Sequence, residues 1–286
     1  MHDFTPSSVL HATDFSPSSE VATEYAAVLA RAFDARLDIL HAHRMELPPY
    51  FTPDQNLELE QELARAQDSI MEHLRALVDA RVPPEVPTEL LVADEFPTEA
   101  ILASARERQP GLVVLGSHGR TGIARTLLGS VSENVLREIR IPLLITRPPS
   151  EETSTTAPPA VERILCSINY TPHSLRAVEV AAALAGRLDA RLTVLHSLES
   201  SGDEAAERDR VCSWVPGSVD ASCRWHVNIA RGNPAEQIIS AAEEDGADMI
   251  VVGGRHRSFL KASVLGATTE RVVRHAHCPV LTVVAE

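Results

Sequence analysis

The sequence predicts an α/β protein made of two doubly wound, parallel-sheet domains in tandem, and three observations carry that prediction. Short runs that are apolar at every position alternate with longer stretches in which apolar residues recur at helical spacing. Fully apolar runs suit strands buried on both faces, as in a parallel sheet covered by helices. The whole pattern also occurs twice, and internal repetition sets the domain count before any element is assigned. Residues 9–41 align without a gap to 164–196 at an offset of 155, placing Asp34-Ala35-Arg36-Leu37 over Asp189-Ala190-Arg191-Leu192. Residues 97–145 align to 234–282 at an offset of 137, pairing Pro97 with Pro234, Gly116 with Gly253, Gly129 with Gly266 and Pro142 with Pro279.

In chain order, Ser8–Thr13 reads as the first strand. Ser16-Pro17 then supplies an N-cap followed by proline at the first helical position, and Ala-rich sequence carries the helix to Phe33. Leu37–Ala42 is the second strand. Leu63, Ile70, Leu74, Leu77 and Val78 recur at helical spacing, and Thr88–Val92 follows as the third strand. Pro97-Thr98-Glu99 opens another helix, Leu112–Leu115 is a fully apolar strand, and a glycine-rich loop leads into a helix starting near Ser130. Pro142–Thr146 closes the copy. The two offsets differ by 18 residues, length that the first copy carries before Pro97 and that includes the Glu-rich stretch Asp54–Ala80. That stretch reads as one covering helix, a lid or a partner surface. Residues 147–162 are rich in Pro, Ser, Thr and Glu, which cannot bury apolar surface, so they read as a linker. The predicted domains span 1–147 and 163–286, joined by 148–162.

Composition narrows the function. The 286 residues are 44% hydrophobic and 23% charged, enough for two cores and incompatible with disorder over most of the chain. Acidic residues outnumber basic ones 40 to 26, a formal charge of -14, which repels nucleic acid and anionic membranes at long range. The basic residues are 25 Arg and a single Lys, Lys261, which stands before Ala262-Ser263. A Gly-Lys-Ser/Thr phosphate loop is thereby excluded. The N-terminus has no basic segment followed by an apolar core, and no apolar run approaches a membrane span, so a cytoplasmic protein is expected. Cys166, Cys212, Cys223 and Cys278 match no disulfide framework and are expected to be buried thiols.

Ligands of doubly wound sheets bind beyond the carboxyl ends of the strands, where strand order reverses. Two segments arrive there. Ala12-Thr13-Asp14 ends the first strand, and the Asp14 carboxylate can accept hydrogen bonds from a ribose; an Asp at a strand end also serves as a cap or turn residue. Gly116-Ser117-His118-Gly119 is followed by nine residues and then Gly129-Ser130-Val131-Ser132. Glycines let backbone N–H groups approach an anion, and Gly129-Ser130 brings amide and hydroxyl donors to a helix N-terminus. Such a loop cradles phosphate without lysine; its plain alternative is a surface turn, with Ser130 as a helix cap.

The segment LGSHGRTGIARTLLGSVSENVL resembles the nucleotide-binding loop of the universal stress protein family, in which Gly, two residues, Gly, nine residues and Gly precede Ser or Thr. Gly116, Gly119, Gly129 and Ser130 fill that pattern, and the likeness extends over both halves apart from the linker and the extra helix. The resemblance implies a tandem member with Rossmann-like, adenine nucleotide α-hydrolase-like domains, binding ATP with Mg²⁺. By that resemblance Asp14 binds ribose, Ala42 meets adenine through its backbone, and Gly116, His118, Gly119, Gly129, Ser130, Val131 and Ser132 hold the phosphates. Ala12 and Leu115, at the ends of their strands, complete the implied site. Family members also pair through their last strands, so an intrachain pseudo-dimer of the two halves is expected, with a homodimer of the whole chain left open.

The second half departs from the pattern. Its loop reads Gly253-Gly254-Arg255-His256, nine residues, then Gly266-Ala267-Thr268. His256 replaces the second glycine, Ala267 replaces Ser130, and Asn169 replaces Asp14, so one nucleotide per chain is expected, in the first half. An alternative gives the second half a metal, from Cys166, His196, Cys212, Cys223, His226 and His256. His275 and His277 are expected to meet the dipole of the last helix. Two functions compete: a stress-response module that holds ATP and regulates a protein partner, and a hydrolase of the same fold. The loop has no acid between Gly116 and Ser132 to hold a catalytic metal, so any turnover is expected to be slow.

Overall fold

The computed structural model describes residues 4–44, 53–118, 128–147, 159–198, 202–254, 257–259, 262–264 and 266–284, with the side chains of 53–62, 257–259 and 262–264 excepted. The first half runs β1 (Ser8–Ala12), α1 (Pro17–Ala32), β2 (Arg36–Ala42), α2 (Pro53–Arg81), β3 (Thr88–Ala93), α3 (Pro97–Arg108), β4 (Leu112–Gly116), α4 (Ser130–Glu138) and β5 (Leu143–Thr146). The second runs β6 (Arg163–Ile168), α5 (Pro172–Leu188), β7 (Arg191–Leu198), α6 (Glu204–Trp214), α7 (Gly217–Ser222), β8 (Trp225–Arg231), α8 (Pro234–Glu244), β9 (Met249–Gly254), β10 (Arg257–Phe259), β11 (Ala262–Val264), α9 (Ala267–His275) and β12 (Val280–Val284).

The strands of both halves form one ten-stranded sheet in the order β3-β2-β1-β4-β5-β12-β9-β6-β7-β8. Within each half the pairing is parallel. Strand order reverses between β1 and β4 in the first half and between β6 and β9 in the second, and a crevice opens beyond the carboxyl ends of those strands. The halves meet where β5 pairs antiparallel with β12, Leu144 opposite Leu281 and Ile145 opposite Val280. Because side chains alternate across a strand, Leu144 and Leu281 enter one apolar layer while Ile145 and Val280 enter the other. The first layer lies under α1 and α5, with Leu29, Ala181 and Leu184 buried, and the second under α3, α4, α8 and α9, with Ile101, Val135, Ile238 and Val272 buried.

The helix starts follow the local chemistry. Ser16 caps α1 by accepting from the Ser19 N–H, and Thr171 forms a capping box with Ser174 at the equivalent start of α5. Asp34 and Asp189, the paired residues of the repeated Asp-Ala-Arg-Leu, both adopt the left-handed conformation at φ 53°, reversing the chain from helix to strand. Asp38 on β2 is fully buried and receives Arg36 on Oδ1 and Arg108 of α3 on Oδ2, at 2.6 and 3.0 Å, which ties α3 to the β2–β3 edge. Across the junction of the halves, Arg274 of α9 reaches Glu133 of α4 at 3.0 Å and its own Glu270 at 3.1 Å. Arg147, just past β5, donates to the Val273 carbonyl in the last turn of α9.

Several features lay outside the sequence reading. Where α2 covers the first half, two shorter helices, α6 and α7, stand in the second. The loop after β9 contains a small antiparallel pair, β10 with β11. The expectation of four buried thiols is corrected: Cys166 and Cys278 are buried, but Cys223 is half-buried and Cys212 is exposed. Cys212 lies on α6, where Val211 alone is buried. His277 is also corrected, since α9 ends at His275 and His277 faces Glu243 of α8 at 3.9 Å. No helix among the described residues is long and apolar enough to cross a membrane.

Because Leu144 is fully buried at the seam, Leu144→Ala is expected to lower the unfolding free energy by about 3 kcal/mol through lost transfer energy and an unfilled cavity. Urea titration followed by circular dichroism measures it.

Candidate functional site

The site grows from a close backbone approach at the end of β4. A Cβ on Gly116 would stand 2.9 Å from both the carbonyl oxygen and the hydroxyl of Ser18, so only glycine lets the strand end lie against the first turn of α1. Held there, the Gly116 carbonyl accepts the Ser132 hydroxyl at 2.6 Å, which ties the strand to the start of α4. The next residues close the arrangement: the Ser117 carbonyl accepts the Gly129 N–H at 2.7 Å, and the His118 N–H approaches the Ser18 hydroxyl at 3.4 Å. Ser117 Oγ lies 2.9 Å from His118 Nδ1. The cap position of α4 is Gly129, and no side chain caps this helix among the described residues. Ser130 is therefore the first helical residue rather than the cap, and the opening amides of α4 face the crevice with the positive end of the helix dipole.

On the other side of the crevice, β1 ends at Ala12. Asp14 Oδ1 accepts both the Ser16 hydroxyl at 2.6 Å and the Ser16 N–H at 3.1 Å. This is the turn role that competes with ligand binding in the sequence, and it fixes one carboxylate oxygen. Phe15 follows in the left-handed conformation at φ 61°, as does Tyr170 at φ 58° in the second half. Thr13 and Ser19 hydroxyls lie 3.0 Å apart behind the turn.

A single cavity of ≈ 230 Å³ gathers these groups. Ala12, Asp14, Ala42, Leu115, Gly116, His118, Gly129, Ser130, Val131 and Ser132 all line it. Gly119, the remaining residue of the implied site, lies outside the described residues. Thr13, Ser19, Pro97 and Ile101 line the cavity as well and were missed. Pro97 and Ile101 carried a signal only as the start of a helix, and Ser19 only as the partner of a cap. The walls are apolar toward α3 and donor-rich toward α4, a division that suits a ligand with a flat apolar end and an anionic end.

Below the floor, His11 of β1 is fully buried, with Nδ1 3.0 Å from the Val114 carbonyl and Nε2 2.9 Å from the Thr23 hydroxyl. Burial lowers its pKa to about 4, against the smaller raising effects of the Val114 hydrogen bond and Asp14. The neutral ring thus bridges β1, β4 and α1 beneath the crevice.

The second half repeats the scaffold with other chemistry. A Cβ on Gly253 would stand 2.8 Å from the His173 carbonyl carbon, and Thr269 donates to the Gly253 carbonyl at 3.0 Å, as Ser132 does to Gly116. Asn169 accepts the Thr171 hydroxyl in place of Asp14 and Ser16. The residues suggested for a metal do not converge: among the described residues no group of three or more His, Cys, Asp or Glu side chains comes together to hold one. His256 lies outside the described residues. His196 is held between the Ile168 carbonyl and Glu207, and His226 meets Thr193. Burial pushes the Cys166 thiol well above its usual range, which disfavours the thiolate that zinc binds.

Comparison with known proteins gives a consistent picture. The sequence model of the universal stress protein family matches residues 7–147 and 220–284. A universal stress protein of Mycobacterium tuberculosis is 26% identical over 289 residues, covering 94% of this chain and 93% of that protein. A universal stress protein of Thermus aquaticus is 33% identical over 135 residues, covering 42% of this chain and 96% of its own. Among solved structures, a universal stress protein of Archaeoglobus fulgidus shares the fold with a TM-score of 0.71 at 22% identity, covering 99% of each chain.

His11 gives this site an acid-side signature. In the unfolded chain it protonates near 6.5 and in the fold near 4, so between those values the unfolded state alone takes up the proton. Stability attributable to this group is fully present above pH 6.5 and falls as pH drops toward 4, by up to about 3 kcal/mol. Urea midpoints measured across that window are expected to show the slope in the native protein and to lose it in His11→Gln.

Proposed function

This chain belongs to the universal stress protein family, and we propose that it is a nucleotide-binding member holding one ATP in the first of two domains, 1–147 and 163–286, joined by 148–162. The observation that carries this reading is the single cavity that places the Asp14 carboxylate opposite the uncapped N-terminus of α4. Asp14, at the cavity wall, receives the ribose hydroxyls on its carboxylate. Ala12, Ala42 and Leu115 flank the base, with the Ala42 backbone reading its edge. Gly116, His118, Gly119, Gly129, Ser130, Val131 and Ser132 surround the phosphates, where amide and hydroxyl donors and the helix dipole offset their charge.

Mg²⁺ fits such a site as a companion of the phosphates. It keeps several waters and takes one or two protein oxygens, and the Ser130 hydroxyl in the cavity lining would be one of them. When bound, the ion neutralises phosphate charge.

Holding rather than turning over is the reading we favour. Among the described residues, the one carboxylate lining the cavity, Asp14, is engaged by Ser16, and neither Arg nor Lys is in the lining. Phosphoryl transfer relies on positioned metal ligands and a cationic clamp. Bound ATP then serves as the state that a regulatory protein partner reads.

Titration calorimetry with ATP and Mg²⁺ is expected to give one site per chain. Asp14→Asn, which installs the residue found at 169, is expected to weaken binding about tenfold through loss of a charged acceptor. Two equivalent sites would overturn the assignment to the first half, and absence of binding at millimolar ATP would overturn the nucleotide reading.

A further inference from the structure

We infer that Phe96 is a base-stacking residue of the nucleotide site, an inference that rests on the nucleotide reading above. Phe96 is the one exposed large apolar side chain among the described residues, at 47% exposure, and it packs into neither apolar layer. It occupies the N-cap position of α3 with φ -63° and ψ 143° and makes no side-chain cap hydrogen bond. Its repeat partner, Asn233, has the same backbone shape, φ -63° and ψ 123°, precedes a proline in the same way, and caps α8 by accepting from the Ala235 and Glu236 N–H groups. The first half thus forgoes a cap at a position whose backbone would accept one and sets an aromatic ring in water instead. Two local rules are broken at one residue, which is what a binding role produces.

The position points to the ligand. Pro97 and Ile101, on the first turns of α3, and Ala42, at the end of β2, line the apolar end of the cavity. Phe96 precedes that proline. Arg44, two residues past Ala42, lies over one face of the Phe96 ring with its guanidinium carbon 4.5 Å from the ring centre. The two segments that bound the apolar end therefore meet through this pair, which holds the half-exposed ring at the rim of the cavity, beside the Pro97 and Ala42 that line it. The chemistry selected is a purine base, since the donors for phosphate stand at the opposite end.

The test uses the full chain. Phe96→Asn is expected to raise Tm by about 2 °C, because the side chain caps α3 as Asn233 caps α8, while lowering ATP affinity about tenfold by calorimetry through lost stacking. Phe96→Trp is expected to keep wild-type affinity and to show fluorescence quenching on ATP addition beyond that of the native Trp214 and Trp225, both in the second half. Wild-type ATP affinity in Phe96→Asn overturns the inference while leaving the nucleotide reading intact. Weaker binding accompanied by a lower Tm, with no added quenching in Phe96→Trp, also overturns it by marking the residue as structural. Failure of the native protein to bind ATP overturns both readings.

Discussion

The crevice depends on one steric constraint, the contact of a strand end with the first turn of the preceding helix. Gly116 lies where any side chain would meet the Ser18 backbone, and Gly253 lies likewise against His173. With the strand end pressed there, its carbonyl turns toward the next helix and takes a hydroxyl, from Ser132 in one half and Thr269 in the other. That bond draws the start of α4 across the gap between β1 and β4, and the gap itself exists because strand order reverses there. Backbone geometry therefore makes the concavity, and the side chains around it decide what it holds.

The two halves show that separation directly. Both keep the glycine, the hydroxyl bond and a glycine N-cap without a side-chain partner on α4 or α9. Around that shared frame, Asp14 and Ser130 of the first half are replaced by Asn169 and Ala267 in the second. Asn169 still organises its turn by accepting from Thr171, as Asp14 does from Ser16. A carboxylate is not needed for that turn, so the charge at Asp14 answers to something other than folding. Glu133, on the first turn of α4, makes the same point about charge. It is neutralised by Arg137 of its own helix and by Arg274 from the other half, so the helix end keeps its positive character.

Much of this was legible in the sequence because repetition and glycine spacing are one-dimensional signals of three-dimensional constraints. The strands read as apolar runs, and the starts of α1 and α3 from Ser16-Pro17 and Pro97, fall within a residue or two of the observed elements. The cavity gathers every described residue named from the loop pattern and strand ends. Other features left no such trace. α6 has almost no amphipathic pattern because only Val211 is buried on it, so neither the helix nor the exposure of Cys212 on it could be read from periodicity. The β10–β11 pair is three residues on each strand, too short for an alternation to register. Phe96 leaves no sequence signal, because an aromatic residue before proline is an ordinary loop pattern, and only its exposure and the cap formed by Asn233 set it apart.

Charge is the remaining question, since a chain with 40 acidic and 26 basic residues is an unpromising host for a triphosphate. The excess is 22 to 13 before residue 151 and 18 to 13 after it, so the half with the intact loop is the more acidic. Long-range attraction cannot supply the affinity there, and at physiological ionic strength it is screened within about 8 Å in any case. Short-range terms can. The opening residues of α4, with their amides and the Ser130 hydroxyl, line the crevice, where a dipole counts for more than a distant net charge. Among the described residues no arginine lines the cavity, and Arg137 and Arg274 are engaged by Glu133 on the first turn of α4. A site assembled from backbone donors needs no side-chain cation to bind phosphate, and such a site would also lack the clamp that drives phosphoryl transfer. Under the proposed reading, the scarcity of lysine and a holding role both follow from one arrangement, in which the fold's own amides meet the anion.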